Sequence, residues 1–348
     1  MVYSKSVIEY LKLTNCIDRQ SERVSTLQPF DVPESPEPIG FLLVPNFSMM
    51  AFAAAIEPLR MANRMSGLAL YSWHLITSNG APVSASNGIV VTPESGISGA
   101  RQLTTIIVCA GLDVHLYRNK EVFSWLRRLA RGGAHIGALS SATHILARAG
   151  LLQGYRCTIH WENLLGFAEE FPDIDVSADL FEIDRNRFTC SGGTAALDMM
   201  LHRIAPRYGK ELVTAVSDQL IHDRIRGPHD QQRLTLQSRL GIRDAKLLSV
   251  VAQMEANIEE PLSRDNLAGS VDLSTRQLER LFRDKLGSTP RRYYLGLRLR
   301  HARQLLLQTD FSVLGVALAC GFVSASHFSK SYREYFDKTP RDERREAA

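Results

Sequence analysis

The chain has 348 residues, more than one average domain, and 45% of them are hydrophobic, enough for ordinary globular cores. Its longest apolar runs, FLLVP at 41–45 and the alanine-rich stretch at 51–56, are too short to cross a bilayer, and the N-terminus lacks the order of a secretory signal. The net charge of +4 is uneven, because residues from Gly241 onward carry 18 Lys/Arg against 14 Asp/Glu while the remainder is balanced.

These features point to two domains in the cytoplasm with no membrane attachment. Prolines at 29, 33, 36 and 38 rule out regular structure and make residues 1–38 a flexible leader, with a short helix over Ser6–Leu13. From Ile39 to Arg226 short apolar strands alternate with helices. The strands are IGFLLVP (39–45), SWHLITSNG (72–80), IVVTPESG (89–96), LTTIIVCAG (103–111), AHIGALS (134–140), RCTIHW (156–161) and FEIDRNRFTCSGG (181–193). Helices are expected over 48–65 and 118–131, after AHIGALS, and over 209–226. This alternation predicts an α/β domain with a mostly parallel sheet sandwiched by helices, whose ligands bind at the carboxyl ends of the strands. Residues 227–242 read as a linker, 243–340 as an all-α domain and 341–348 as a tail.

Five cysteines, Cys16, Cys109, Cys157, Cys190 and Cys320, are odd in number and widely spread without a C-x-x-C pair. That spacing fits neither a disulfide framework nor a zinc cluster. The histidines lack metal-binding spacing as well, so no metal and no cofactor are expected.

The stretch GALSSATHILARAGLL (137–152) runs a small-residue strand end straight into an amphipathic helix. Such a turn is where α/β hydrolases hold a nucleophile over a helix N-terminus, and here it carries Ser140 and Ser141. The pattern G-x-S-x-G is missing. Free N–H groups and the positive dipole end of the helix suit a ligand carboxylate.

The last hundred residues repeat with a shift of fifty. LSTRQLERLFRDKLGSTP (273–290) lies over VSASHFSKSYREYFDKTP (323–340), with Leu278, Phe282 and Leu286 meeting Phe328, Tyr332 and Phe336. Each copy is a helix with an apolar stripe, an N-cap at Ser274 or Ser324, and a short helix and turn before it. Two helices joined in this way form a helix-turn-helix whose second member enters a major groove. The faces opposite the stripes offer Thr275, Arg276, Gln277, Arg280 and Arg283 in one copy and Ser326, His327, Lys330 and Arg333 in the other. With Ser274 and Ser324 these are the candidate DNA contacts, since short hydroxyls, amides and cations suit base edges and phosphates. The helix PRRYYLGLRLRHARQLLLQ (290–308) joins the copies as a rod, so the two would address groove faces ~34 Å apart.

The motifs LSTRQLERLFRDKLGSTPRRYY, RLRHARQLL and ALACGFVSASHFSKSYREYF closely resemble the DNA-binding domain of AraC/XylS regulators. The preceding domain resembles the class I glutamine amidotransferase/PfpI-like fold, and the combination is similar to the GlxA-type branch of that regulator family. The stretches PNFSMMAFAAAIEPLRMANRMSG (45–67) and TIHWENL (158–164) resemble a subgroup that senses arginine or quaternary amines such as glycine betaine and carnitine. The resemblance implies an activator of catabolic genes that binds promoter DNA, works with RNA polymerase and forms a homodimer. Matching to the PfpI-like enzymes places Ser140 at the position of their cysteine nucleophile, Glu57 at their glutamate and His160 at their histidine. A serine needs a positioned base where a thiol does not, so the substitution favours binding over catalysis. The alternative, an enzyme with His160 as base oriented by Glu57 or Asp198, stays open on residue types alone. The expected effector contacts are Glu57, Ser140, Ser141, His160 and Trp161, with Phe47 or Trp73 as further packing surfaces.

Overall fold

A computed structural model describes residues 34–100 and 103–347. The expected helix at Ser6–Leu13, Cys16 and most of the leader lie outside them. In chain order the elements are β1 (Glu37–Leu43), α1 (Met49–Ser66), β2 (Tyr71–Thr77), β3 (Val83–Ser84), β4 (Val90–Val91), β5 (Ser95–Gly96), β6 (Thr105–Cys109), α2 (Lys120–Arg131), β7 (His135–Leu139) and α3 (Thr143–Arg148). There follow β8 (Arg156–Thr158), α4 (Leu164–Glu170), β9 (Asp175–Ser177), β10 (Phe181–Asp184), β11 (Arg187–Cys190) and α5 (Ala195–Gln219). The remainder is helical: α6 (Leu236–Leu240), α7 (Ala245–Ala256), α8 (Arg264–Gly269), α9 (Thr275–Leu286), α10 (Pro290–Gln308), α11 (Val313–Ala319), α12 (Ala325–Phe336) and α13 (Pro340–Ala347).

Two compact units share the chain. One runs to His160 and resumes over Asp173–Asp230, and the other takes Trp161–Pro172 and the residues from Gln231 onward. The second unit thus includes α4, a segment that interrupts the first unit in sequence.

In the first unit seven strands lie in the order β10-β11-β7-β6-β1-β2-β5. All neighbours are parallel except β10 and β11, a hairpin turning at Arg185, so the expected mostly parallel sheet is present. Fully buried Phe41, Leu42, Ile106, Ile107 and Val108 explain why β1 and β6 read as continuous apolar runs, as strands covered on both faces must. Helix α1 buries Ala51, Phe52, Ala55, Leu59 and Ala62, a stripe at helical spacing, in a core it shares with α5. Helix α5 runs from Ala195 through a kink at Gly209, where φ is 85°, and stops at Gln219. The helix expected over 209–226 therefore ends early. Ile221 takes the left-handed region at φ 53°, and the His222 N–H returns to the Ser217 carbonyl at 3.0 Å, which closes the helix. Beyond it, Asp198 accepts the Arg226 backbone N–H at 2.8 Å.

In the second unit α10 bridges two cores. Tyr294 near its start packs with Leu247, Leu278 and Phe282, while Leu299, Ala302, Leu305 and Leu306 pack with Phe328 and Tyr332. Arg298 fastens α10 to the turn of the second helix-turn-helix, its Nε and Nη2 donating to the carbonyls of Cys320 and Gly321 at 2.7 Å each. Its guanidinium also lies 4.2 Å from the ring centroid of Phe322. Residues read as linker and tail are partly ordered here. Arg239 on α6 bonds Glu255 at 2.8 Å, and Glu343 on α13 accepts from Arg303 and Tyr332 at 3.0 and 3.2 Å.

Candidate functional site

The end of β7 is flanked in register by Cys109 on β6 and Cys190 on β11, both paired with Leu139. The next residue, Ser140, turns into the left-handed region at φ 61°. That conformation costs a residue with a Cβ roughly 1–3 kcal/mol and marks a position constrained by its surroundings. The Ser140 side chain points toward Gly192 at the end of β11, where an added Cβ would lie 2.9 Å from its Oγ. Ser140 is only 8% exposed, and its hydroxyl takes part in no hydrogen bond among the described residues. No histidine or carboxylate is therefore engaged with it as a base.

Two helices begin at this elbow, and neither has a side-chain cap: α3 after Ser140–Ala142, and α5 after Gly192, Gly193 and Thr194. The N–H groups of Gly192 and Ser140 point at the Cys190 sulfur. Burial nevertheless pushes that thiol up to about 11 and the Cys109 thiol higher than usual, so neither is a nucleophile. Elsewhere most described helices are capped, with α4 after Asn163 a further uncapped one. Ser48 and Asn119 cap α1 and α2, and the helices of the second unit from α6 to α12 carry Thr, Asp or Ser caps. At the start of α5 the Ala195 and Leu197 N–H groups donate to the Gly192 and Thr194 carbonyls, each at 3.1 Å. The uncapped helix start, the Ser140 hydroxyl in its left-handed backbone and two glycines meet at the carboxyl end of the sheet, and the N–H groups that remain there suit a carboxylate.

The expected contacts are placed unevenly. Ser141 is 1% exposed and donates its hydroxyl to the Gly111 carbonyl at 2.5 Å, which fastens the elbow to the end of β6. His160 follows β8, whose Thr158 carbonyl accepts from Thr143 Oγ1 on α3 at 2.7 Å. Trp161 belongs to the second unit, with the Arg233 guanidinium 4.2 Å from its ring centroid. Glu57 is not brought to the elbow. The α1 N-terminus is anchored there through Ser48 N–H on Ala110, but Glu57 lies nine residues further on, about 13 Å along the axis at 1.5 Å per residue. Its carboxylate accepts from Arg60 at 2.5 and 2.9 Å instead. Phe47 is fully buried against Phe52 and belongs to the core.

Asp198, weighed as an orienting group for His160, is committed elsewhere. Fully buried, it accepts from His222 Nε2 at 2.8 Å and from Arg226 Nε and Nη2 at 2.9 and 2.6 Å. Gly192, Gly193 and Thr194 were missed as site residues. The signal was present in S-G-G-T between a strand and a helix, but which strand end they would meet is a tertiary matter.

The other candidate surface is the pair of second helices, α9 and α12. Leu278 and Phe282, and Phe328 and Tyr332, are buried as the repeat implies, which leaves Arg276, Arg280 and Arg283, and Ser326, His327, Lys330 and Arg333, exposed. Ser274 and Gln277 form a capping box, with Gln277 Oε1 accepting from the Ser274 N–H at 2.8 Å and Ser274 Oγ accepting from the Gln277 N–H at 3.2 Å. These two side chains are thus committed first to starting α9, a cap worth ~1 kcal/mol. Thr275 is half-buried beside them. Ser324 caps α12 through its Oγ, which accepts from the His327 N–H at 3.2 Å, and the His327 ring lies tilted at 5.7 Å from the Phe322 ring. The exposed cations and hydroxyls on two helices packed along α10 are the arrangement that groove reading requires.

Residues 40–205 match the DJ-1/PfpI family and residues 267–346 match a helix-turn-helix domain. The chain is 51% identical over 310 residues to the HTH-type transcriptional regulator GbdR of Pseudomonas aeruginosa, covering 89% of this chain and 84% of that one. It is 45% identical over 304 residues to the HTH-type transcriptional regulator CdhR of the same species, covering 87% and 90%. A crystal structure of an AraC family transcriptional regulator from Pseudomonas putida matches 53% of this chain and 100% of its own, at 27% identity and a TM-score of 0.50. The chain therefore belongs to the DNA-binding transcriptional regulators of the AraC family in their GlxA-type form, a DJ-1/PfpI-like domain followed by an AraC-type double helix-turn-helix.

Proposed function

We propose that this regulator is a cytoplasmic activator whose DJ-1/PfpI-like domain binds a small carboxylate-bearing amine and does not turn it over. The effector class is an amino acid or quaternary amine such as arginine, glycine betaine or carnitine. The regulator acts as a homodimer on promoter DNA together with RNA polymerase. The observation that carries the reading is the elbow, where Ser140, 8% exposed and with no hydrogen-bond partner for its hydroxyl among the described residues, packs on Gly192 just before the uncapped start of α5. Charge-assisted hydrogen bonds from such donors to a carboxylate are worth roughly 1.5–3 kcal/mol each. A serine enzyme would need a base on Ser140 Oγ, and no described residue bonds it.

Calorimetry on the full chain tests this with glycine betaine, carnitine and arginine, using acetate and choline as half-ligands. At least one zwitterion should bind more tightly than either half-ligand. Ser140→Val should weaken it at least ~10-fold, about 1.4 kcal/mol. Mass spectrometry should recover the ligand unchanged after long incubation. Wild-type affinity in Ser140→Val would move the effector site elsewhere, and turnover abolished by Ser140→Ala would establish an enzyme.

A further inference from the structure

Thr194 stands at the N-cap of α5, yet its oxygen does not cap the helix. Thr194 Oγ1 accepts from Arg226 Nη2 at 2.6 Å. The backbone explains the choice. Among the described residues, the N-cap residues whose side chains do cap a helix are all extended, with ψ between 100° and 157°. Thr194 is helical instead, at φ −74° and ψ −11°, which turns its oxygen away from the first turn of α5. Capping α5 and bonding Arg226 therefore require different backbone conformations of one residue.

Both ends of this choice lead somewhere. Toward the elbow, Thr194 follows Gly193 and Gly192, and Gly192 packs directly on Ser140. Toward the C-terminus, Arg226 is the last residue before the turn in which the Gly227 N–H binds Asp230, and the chain then passes into the second unit. The rest of the Arg226 hold is made by Asp198, which takes the Arg226 Nε, Nη2 and backbone N–H, and His222 fills the same carboxylate from the other side. Thr194 is the one member of this network placed between the elbow and the exit of the chain.

We propose that Thr194 is a two-position latch that couples effector binding to the segment leaving the DJ-1/PfpI-like domain. The proposal rests on the effector site proposed at the elbow. With a carboxylate on the N–H groups at the start of α5, the Thr194 oxygen is excluded from capping and stays on Arg226, so the exit turn is held. Without it, part of the population extends Thr194 and caps α5 in the manner of the other helices, which loosens Arg226. The unliganded chain samples both arrangements, and the effector shifts the population toward the held one by its preference for it. By linkage, a held exit turn strengthens effector binding by the same factor.

Three forms of the full chain test the latch: wild type, Thr194→Val, which keeps the shape but has no oxygen, and Thr194→Ser, which restores it. Without any effector, amide exchange over residues 222–230 should rise at least ~5-fold in Thr194→Val and stay at the wild-type rate in Thr194→Ser, because local opening sets exchange. Affinity for a DNA fragment selected from genomic DNA by the wild-type chain should change at least ~3-fold in Thr194→Val alone. With glycine betaine at saturation for each form, any change in DNA affinity seen in wild type should shrink below ~2-fold in Thr194→Val and return in Thr194→Ser. Wild-type exchange and DNA affinity in Thr194→Val would overturn the latch. A wild type that binds none of the zwitterions while the exchange and DNA results hold would instead reject the effector reading and keep the latch.

Discussion

Gly192 packs so tightly on Ser140 that a Cβ at position 192 would lie 2.7 Å from the Ser140 Cβ. Its φ of 95° is itself closed to most L-residues. Gly192→Ala should therefore combine backbone strain with a collision, destabilising the first unit by ~2–4 kcal/mol in urea unfolding. Effector binding should fall more than ~10-fold as the elbow shifts. Gly193→Ala is the control, since its φ of 54° is strained but nothing lies within 4 Å of an added Cβ. It should lose only ~1–2 kcal/mol. Equal losses in the two variants would mean that the Gly192–Ser140 contact does not organise the site.

Gly321 performs the corresponding task between the helix-turn-helix units. At φ 69°, a Cβ there would meet the Glu259 and Ile258 carbonyl oxygens at 2.6 and 2.8 Å, backbone atoms that cannot rotate away. Gly321→Ala should push the second unit of the repeat off the first and lower specific DNA affinity at least ~10-fold, with little change in non-specific binding. A gel-shift series with the selected fragment and a scrambled one measures both.

Arg283 and Arg333 occupy matching exposed positions in the repeat. Replacing either with Ala should weaken binding evenly across sequences and reduce the slope of log affinity against log salt by ~1. Arg276→Ala and His327→Ala should instead relax sequence preference at particular base pairs, by ~1–3 kcal/mol of lost discrimination. Competition with single-base variants of the selected fragment separates the two outcomes.

His301 on α10 is 8% exposed, and burial lowers it from 6.5 to about 4. In the folded chain it stays neutral where the unfolded chain already takes up a proton. Stability is therefore full above the unfolded value of 6.5 and is lost as the pH falls toward 4, with no further loss from this group below it. The window corresponds to up to ~3 kcal/mol for the second unit. His301→Gln should flatten the dependence of its urea midpoint between about pH 7 and pH 4.5. An unchanged slope would place the acid sensitivity in other groups.

How far the sequence reaches can be judged from particular elements. The rod over 290–308 and the paired stripes at 278/282 and 328/332 were legible because helix periodicity, Ser caps and Pro at N1 are local signals. The α/β alternation and the parallel sheet were legible for the same reason. The end of α5 at Gln219 was not, because a β-branched isoleucine, Ile221, takes the left-handed turn that closes the helix, a position at which sequence pattern expects glycine or asparagine.

The sequence by itself determined the alternation of strands and helices before residue 227, the duplicated helix-turn-helix of the last hundred residues, and, through the resemblance to PfpI-like enzymes, that a serine stands at the elbow in place of a cysteine. It did not show that the run at 89–96 divides into β4 and β5. Only the tertiary structure decided what that serine faces. The strand order brings β11 beside β7, which sets Gly192 against Ser140, while on α1 the Glu57 carboxylate is taken up by Arg60 one turn further on. It likewise placed Trp161–Pro172 in the second unit, and turned Thr194 from a helix cap into a partner of Arg226. Local pattern specifies how a segment folds, while the choice among equally good partners depends on which groups the packed chain leaves unsatisfied within reach.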